Sequence, residues 1–345
     1  MKPKTSVVMA VYNGGQYIGE QIKSILEQTH PVDELILIDD CSPEKCINEI
    51  VSAVGAGHGD AADSTAEPVS SSRKEPGFSG NGDGIRTEEL TWNSNGCIVR
   101  YLEHAEQKGY AQTFFDALSL ATGDFIFFSD QDDIWEKNKA AVCLSVFKKH
   151  PEILCLSSCN RLIDGDGKVF GQDRRPRRPL SPIAAGDLIL QKHGALRPGM
   201  TTVIRCSVKE TIDKMDVSAF EMHDRLIEYL AATDGGYWLL GKYLSRYRIH
   251  DANTSGMNLS HTKLRTGLDG RIDQIDKEIR YLDQIYDLSP ENNKTISRAR
   301  DYFSTRKKLL KKKNIARYIV CSPCLFSRYS TKKIWLGDIA GILKG

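Results

Sequence analysis

The sequence predicts an α/β fold: a mostly parallel central sheet flanked by helices, with a C-terminal helical extension. Three observations carry that expectation. Short apolar runs alternate with stretches of helical period, the pattern of βαβ units. Each run ends in polar or acidic residues, and open sheets of this kind collect ligands beyond the carboxyl ends of their strands. With 345 residues, the chain can bury one sizeable core with an appendage, or two domains.

Taken in order, Thr5 to Asn13 reads TSVVMAVYN, an apolar run suited to a buried first strand. It enters the turn Asn13-Gly14-Gly15 and then a helix with Ile18, Ile22, Ile25 and Leu26 on one face. Glu34 to Ile38 gives a second strand, ending in Asp39-Asp40-Cys41-Ser42. Cys97 to Leu102 is a third. Phe125 to Phe128 is a fourth, followed at once by Asp130, Asp132 and Asp133. Tyr12-Asn13, Asp39-Asp40 and Asp130-Asp132 all fall at strand ends, so three distant segments are expected to meet at one crevice.

Three carboxylates within four positions after a buried strand are unfavourable unless their charge is compensated. A divalent cation does this, and hard oxygen ligands suit Mg2+ or Mn2+, which usually bind a diphosphate at the same time. The alternative is a solvated Asp-rich turn capping a helix that begins near Trp135. The segment from Gly55 to Cys97 is rich in Gly, Ser, Asp and Glu and too poor in apolar residues to offset the entropy of ordering. It is expected to loop out of the sheet as a flexible insertion. Its Gly55-Ala56-Gly57-His58-Gly59 mimics a phosphate loop but follows a helical stretch and opens no helix.

Composition narrows the function classes. Basic and acidic residues nearly balance, 47 against 45, for a formal charge of +2, so nothing pushes the whole chain toward nucleic acid. Nine cysteines without paired spacing favour reduced thiols and a cytoplasmic location. Cys321 and Cys324 form a CxxC, but no second pair completes a zinc site. No export signal and no run long enough to span a membrane is evident.

The segments SVVMAVYNGGQYI, ELILIDDCS, GDFIFFSDQDDIW, HDRLIEYLAA and YRIHDANTSG together resemble family 2 glycosyltransferases of the GT-A fold, most of all rhamnosyltransferase-like bacterial members. The resemblance covers about residues 5 to 52 and 98 to 256. It implies a GT-A catalytic domain over 1–256 and a helical, basic extension over 257–345. It further implies a nucleotide held by Tyr12, Asn13, Asp39 and Asp40, with Asp40, or else Asp39, accepting the ring N–H of uracil or thymine. Asp132 becomes the direct ligand of Mn2+ or Mg2+, and Asp130 touches ribose or shares the metal. Lys139 matches a family lysine, or is solvated surface charge.

On the acceptor side, Gly199 and Met200 are expected to line the pocket. Asp224, at a helix start, is expected to act as general base, the alternative being a helix cap. His223 orients that carboxylate, faces the acceptor, or simply packs. Arg248 and His250 are expected to close over diphosphate or metal. Asp173 to Pro179 holds four arginines that bind phosphate groups or stay solvated. The implied reaction is inverting transfer from a dTDP- or UDP-sugar, rhamnose first and galactose or glucose behind, to a glycan or lipid-linked glycan of a surface polysaccharide. A nucleotidyltransferase would also want paired acids after a strand, and a glycan-binding scaffold is the non-enzymatic alternative.

Beyond Gly256, Ile272, Ile275, Ile279, Leu282 and Ile285 have helical spacing with charges between them. Residues 306–313 concentrate six cations ahead of Ile315, Tyr318, Ile319 and Val320. Such a pattern fits either a peripheral anchor on the anionic inner face of a membrane or a charged helix in water. Nucleic acid is disfavoured, since no recognition module accompanies the patch.

Overall fold

The computed structural model describes residues 2–55, 70–73, 88–173, 175–176, 178–189, 197–250, 267–288, 290–321 and 332–344. The chain forms two compact units. The first spans Met1–Pro182 and Arg197–Arg248, the second Ile183–Leu196 and Ile249–Gly345. The first unit thus closes at Arg248, and Ala185–Ile189 groups with the C-terminal helices.

In the first unit the strands are β1 (Thr5–Val11), β2 (Glu34–Asp39), β3 (Ser70–Arg73), β4 (Glu88–Ser94), β5 (Cys97–Glu103), β6 (Phe125–Ser129), β7 (Ile134–Trp135), β8 (Cys155–Ile163), β9 (Val169–Gln172), β10 (Leu180–Pro182), β11 (Thr202–Arg205) and β12 (Tyr237–Arg248). They join one sheet in the order β10-β12-β8-β11-β6-β1-β2-β5-β4-β3, with β7 beside β12 and β9 beside β8. The middle, β6-β1-β2-β5, is parallel. The flanks are mixed: β11 runs antiparallel to both β6 and β8, and β4 antiparallel to β5.

Burial explains the parallel centre. Every residue of β2 and of β6 is buried, as strands covered on both faces require. Helix α1 (Ile18–Leu26) turns Ile18, Ile22 and Ile25 inward, at the i, i+4, i+7 spacing of one helical face. Helices α2 (Ile47–Gly55), α3 (Tyr110–Leu120) and α4 (Lys139–Lys149) add further cover, and one apolar cluster unites Val7, Met9, Leu35, Leu37, Phe127, Trp135 and Phe147. The unit's remaining helices are α6 (Cys206–Ile212) and α7 (His223–Thr233), with α5 (Ala185–Ile189) falling in the second unit.

Two expectations change here. Part of the segment expected to loop out is strand: β4 pairs with β5, and Trp92 is buried. The cause is Asn95-Gly96, whose φ values of 51° and 85° make a two-residue hairpin turn with both central residues left-handed. The rest of that segment, 56–69 and 74–87, lies outside the described residues. Second, the helix after the acids starts at Lys139, because Ile134–Trp135 pairs with Arg246 and Ser245 of β12.

The second unit is helical: α5, α8 (Leu268–Ile285), α9 (Asn293–Lys311), α10 over 315–321 and α11 (Lys332–Lys344). Ile275, Leu282 and Ile285 of α8 and Ile296, Phe303 and Leu310 of α9 are buried. Asp338 on α11 is fully buried and accepts hydrogen bonds from Arg271, from Arg306 and, at 2.6 Å, from the Tyr318 hydroxyl. One carboxylate thus ties four helices together, and its charge is matched by two guanidinium groups. No described helix is long and apolar enough to cross a membrane.

Candidate active site

The parallel strands β6, β1 and β2 end side by side, so their carboxyl-terminal loops form one crevice. Asn13 and Cys41 both take left-handed backbone, φ 51° and 61°, and turn the chain sharply off β1 and β2. The loop after β6 is fastened to that after β1 through Gln131. Its Nε2 donates to the Tyr12 carbonyl at 2.8 Å, and the Tyr12 amide donates to its Oε1 at 2.9 Å. A Cβ on Gly14 would stand 2.5 Å from that Oε1, so any side chain there would push Gln131 out of this pairing. The Tyr12 ring stays exposed at the mouth.

Asp39 and Asp40 are both buried. Asp39 accepts the Ser42 amide at 2.6 Å and the Tyr101 hydroxyl at 3.0 Å. Asp40 accepts the Lys108 amide at 2.7 Å on Oδ1 and the Gly109 amide at 2.8 Å on Oδ2, and its Oδ1 lies 3.0 Å from His104 Nδ1. On its other side His104 Nε2 stands 2.9 Å from Asp116, which also pairs with Lys108. Both carboxylates thus already accept hydrogen bonds from the protein, and Asp40 fixes the Lys108-Gly109 turn that opens α3. Nothing in the spacing of His104, Lys108 and Asp116 announces this network, which only the fold assembles.

The acids after β6 crowd together. Asp130 is half-buried, and its carboxyl is pushed up to about 7 by burial first, then by the charges of Asp132 and Asp224. Asp133 is fully buried; burial first, then the charges of Asp132 and Asp130, raise it well above the usual carboxylate range, and its Oδ1 accepts the Arg248 amide at 2.9 Å. Lys139 is not surface charge but fully buried. Its Nζ donates to the Met200 carbonyl at 2.7 Å and to Ser245 at 3.0 Å and lies 4.0 Å from the centre of the Trp135 ring, and burial pulls its ammonium down to about 8.

Arg248 is also buried. Its Nε donates to the Asp132 carbonyl at 2.8 Å, Nη1 to the Gly165 carbonyl at 2.8 Å and Nη2 to Glu20 at 2.6 Å, with the guanidinium 4.5 Å from the centre of the Tyr17 ring. The expected reach toward a diphosphate is replaced by a grip on the backbone of the acidic loop. His250 lies beyond the end of β12 and falls in the second unit. Of the basic loop, Arg175 stacks 4.3 Å from the centre of the Tyr243 ring and Asp173 pairs with Arg197 at 3.0 Å. Arg174 and Arg177 lie outside the described residues.

Across from the acids, α7 begins at His223 with Met222 as its cap, so Asp224 sits in the first turn and is not the cap. It is half-buried, with Oδ1 accepting the Arg225 amide at 2.8 Å. Its charge is felt at Asp130, at His223 and at Tyr110, whose hydroxyl is raised to about 12 by burial and then by Asp224. His223 is buried, stacked 4.0 Å from Phe114, and burial pushes its imidazole down to about 4. A Cβ on Gly199 would meet His223 Nε2 at 2.9 Å and the Asp224 Cβ at 3.4 Å. Gly199, His223 and Asp224 are thus packed together, and the Asp224 charge reaches Asp130. Among the described residues no three His, Cys, Asp or Glu side chains form a protein cage for a metal ion.

The model of glycosyl transferase family 2 matches residues 6–60 and 83–212, more than half of the chain. The chain belongs to that family. An uncharacterized glycosyltransferase of Nostoc sp. is 25% identical over 253 residues, 72% of this chain and just under two thirds, 66%, of its own length. The dTDP-rhamnosyl transferase RfbG of Shigella flexneri is 26% identical over 271 residues, 73% of this chain and 75% of that protein. Two solved glycosyltransferases share the GT-A fold with this family member. The mannosyltransferase PcManGT of Pyrobaculum calidifontis, in complex with GDP-Man and Mn2+, superposes with a TM-score of 0.54 at 14% identity, covering 100% of this chain and 87% of that one. Staphylococcus aureus TarS, residues 1–349 with UDP, gives 0.53 at 14% identity over 86% and 87%.

Proposed function

We propose that the chain transfers a sugar from a nucleoside-diphosphate donor to a hydroxyl of a glycan acceptor in surface polysaccharide synthesis, by single displacement with inversion. One observation carries this reading: Asp224, on the wall of Gly199 and His223, lies within the electrostatic reach of Asp130 beside Asp132. The nucleotide base would lie against Tyr12, over the turn that Asp40 and His104 hold. Asp130 and Asp132 offer hard carboxylate oxygens whose mutual repulsion favours a divalent cation, Mn2+ or Mg2+. A pair of carboxylates leaves coordination positions for the oxygens of a diphosphate. When bound, the cation neutralises charge on the departing diphosphate.

Asp224 accepts the proton of the acceptor hydroxyl as its oxygen bonds to the anomeric carbon, on the face opposite the breaking C–O bond to phosphate. Gly199 keeps the approach open, because any side chain there would push against His223. Rhamnose from a dTDP donor leads, supported by the dTDP-rhamnosyl transferase relative; UDP-galactose or UDP-glucose follow. His250 remains the proposed further ligand of metal or diphosphate. A calorimetric panel of dTDP-, UDP- and GDP-sugars with Mn2+ tests the reading. Binding of one donor, kept in Asp224→Asn while transfer is lost, is the expected result; absence of binding to every donor would sink it.

A further inference from the structure

The second unit carries a strongly basic surface of its own. Between Asp301 and Asp338 the sequence contains no acidic residue, while 306–317 alone holds seven cations. The structure divides these by role. Arg306 is spent on the buried Asp338, and Lys307 pairs with Asp276. Lys308, Lys311, Lys312, Lys313 and Arg317 are exposed where α9 ends and α10 begins.

The orientation of α10 is fixed from within. Asn314 opens the helix, its Oδ1 accepting the Arg317 amide at 2.9 Å. Tyr318 is turned inward, 4% exposed, and donates to Asp338. At 100° per residue, Ala316 and Val320 then lie on the side opposite Tyr318, flanked by Arg317 and Ile319. That outward side exposes Val320 by 77% and Ile319 by 44%. Two large apolar side chains held out beside a cluster of cations form a surface that water alone does not reward.

We propose that this corner docks on an anionic lipid bilayer, with Ile319 and Val320 entering the headgroup–acyl boundary and Lys308, Lys311, Lys312 and Arg317 meeting lipid phosphates. The exposed apolar pair favours a bilayer over RNA, which would match the cations but offer no apolar layer to receive Ile319 and Val320. Charge complementarity sets the size of the effect. A basic residue near an anionic surface contributes about a fivefold gain in binding.

Vesicle co-sedimentation of the full chain tests this, using phosphatidylglycerol:phosphatidylcholine 3:7 against pure phosphatidylcholine. Binding to the anionic vesicles alone, weakened at 0.5 M salt, is expected. Lys311→Gln with Lys312→Gln should weaken it by about 25-fold and Val320→Asp by about tenfold or more. Both variants change exposed side chains, so their melting curves should match the parent. Equal binding to neutral vesicles, no vesicle binding, an unaffected double variant, or tighter binding to polyuridylic acid than to vesicles would each overturn the proposal. None of these outcomes depends on donor binding, so failure here is separable from failure of the transferase reading.

Discussion

The side chain of Gln131 pairs with the backbone of Tyr12 as a neighbouring strand would, giving and accepting one hydrogen bond at 2.8 and 2.9 Å. Gln131 stands between Asp130 and Asp132, and Tyr12 is the proposed platform for the nucleotide base. The pair therefore couples the loop that meets the base to the loop that meets the diphosphate. Gln131→Ala removes both bonds while leaving the strands intact. Each bond is worth about 1 kcal/mol, so their loss costs up to about 2 kcal/mol, and donor affinity should fall by up to about 30-fold by calorimetry. Gly14→Ala should do the same, because its Cβ would displace Oε1 of Gln131.

Arg248 gives a sharper separation of roles. If it anchors the acidic loop from inside, Arg248→Ala leaves the carbonyls of Asp132 and Gly165 without its donors and exposes a hole beside Tyr17. Ligand-free protein should then lose stability in urea unfolding, by about 1–3 kcal/mol for each carbonyl left without its donor. A residue that served only the diphosphate would leave the ligand-free protein as stable as before.

The parallel centre of the sheet was legible because its strands are buried on both faces and so read as unbroken apolar runs: Val7 to Val11, Leu35 to Ile38, Phe125 to Phe128. The acids at their ends were legible for the same reason, since a carboxylate just past such a run stands out. Trp92 was not, although Asn95-Gly96 is a hairpin signal, because the polar stretch before it masked the alternation of β4. Lys139 and Arg248 stand out in the sequence, but their inward contacts do not. Their actual partners, the carbonyls of Met200, Asp132 and Gly165, are backbone atoms 61, 116 and 83 residues away, which no local spacing encodes. The His104 bridge between Asp40 and Asp116 is hidden in the same way.

His223 makes stability depend on pH with a definite sign. Burial holds its folded value near 4, against about 6.5 in the unfolded chain. Between those values the unfolded chain binds a proton that the native protein refuses. Its contribution is fully present above pH 6.5 and is lost as pH falls toward 4, by up to about 3 kcal/mol. In His223→Leu that loss is absent. Urea unfolding at pH 7 and pH 4.5 should show the parent losing about 2 kcal/mol more than the variant over the interval. Equal losses would mean that the imidazole is not held neutral among Phe114, Phe115 and Phe128.

Lys139 links the acidic side of the crevice to its acceptor wall. It opens α4 just after the acidic loop, yet its ammonium ends on the Met200 carbonyl, next to the Gly199 that packs against His223 and Asp224. Lys139→Met keeps the length and the apolar stem over Trp135 but removes the donor. Two effects on stability then oppose each other. An unsatisfied Met200 carbonyl costs about 1–3 kcal/mol, and relief from burying a cation returns a comparable amount, so stability should change little. Placement of the 199–200 segment has no such compensation. A shift of even about 1 Å in a positioning group costs on the order of 100-fold in rate, so transfer should fall by about tenfold to 100-fold. Donor affinity should stay within about twofold, because the contacts of Tyr12, Gln131 and Asp40 are untouched. A variant that loses donor affinity in step with turnover would place Lys139 on the donor side, through its charge beside Asp130 and Asp133, and would remove it from the acceptor wall.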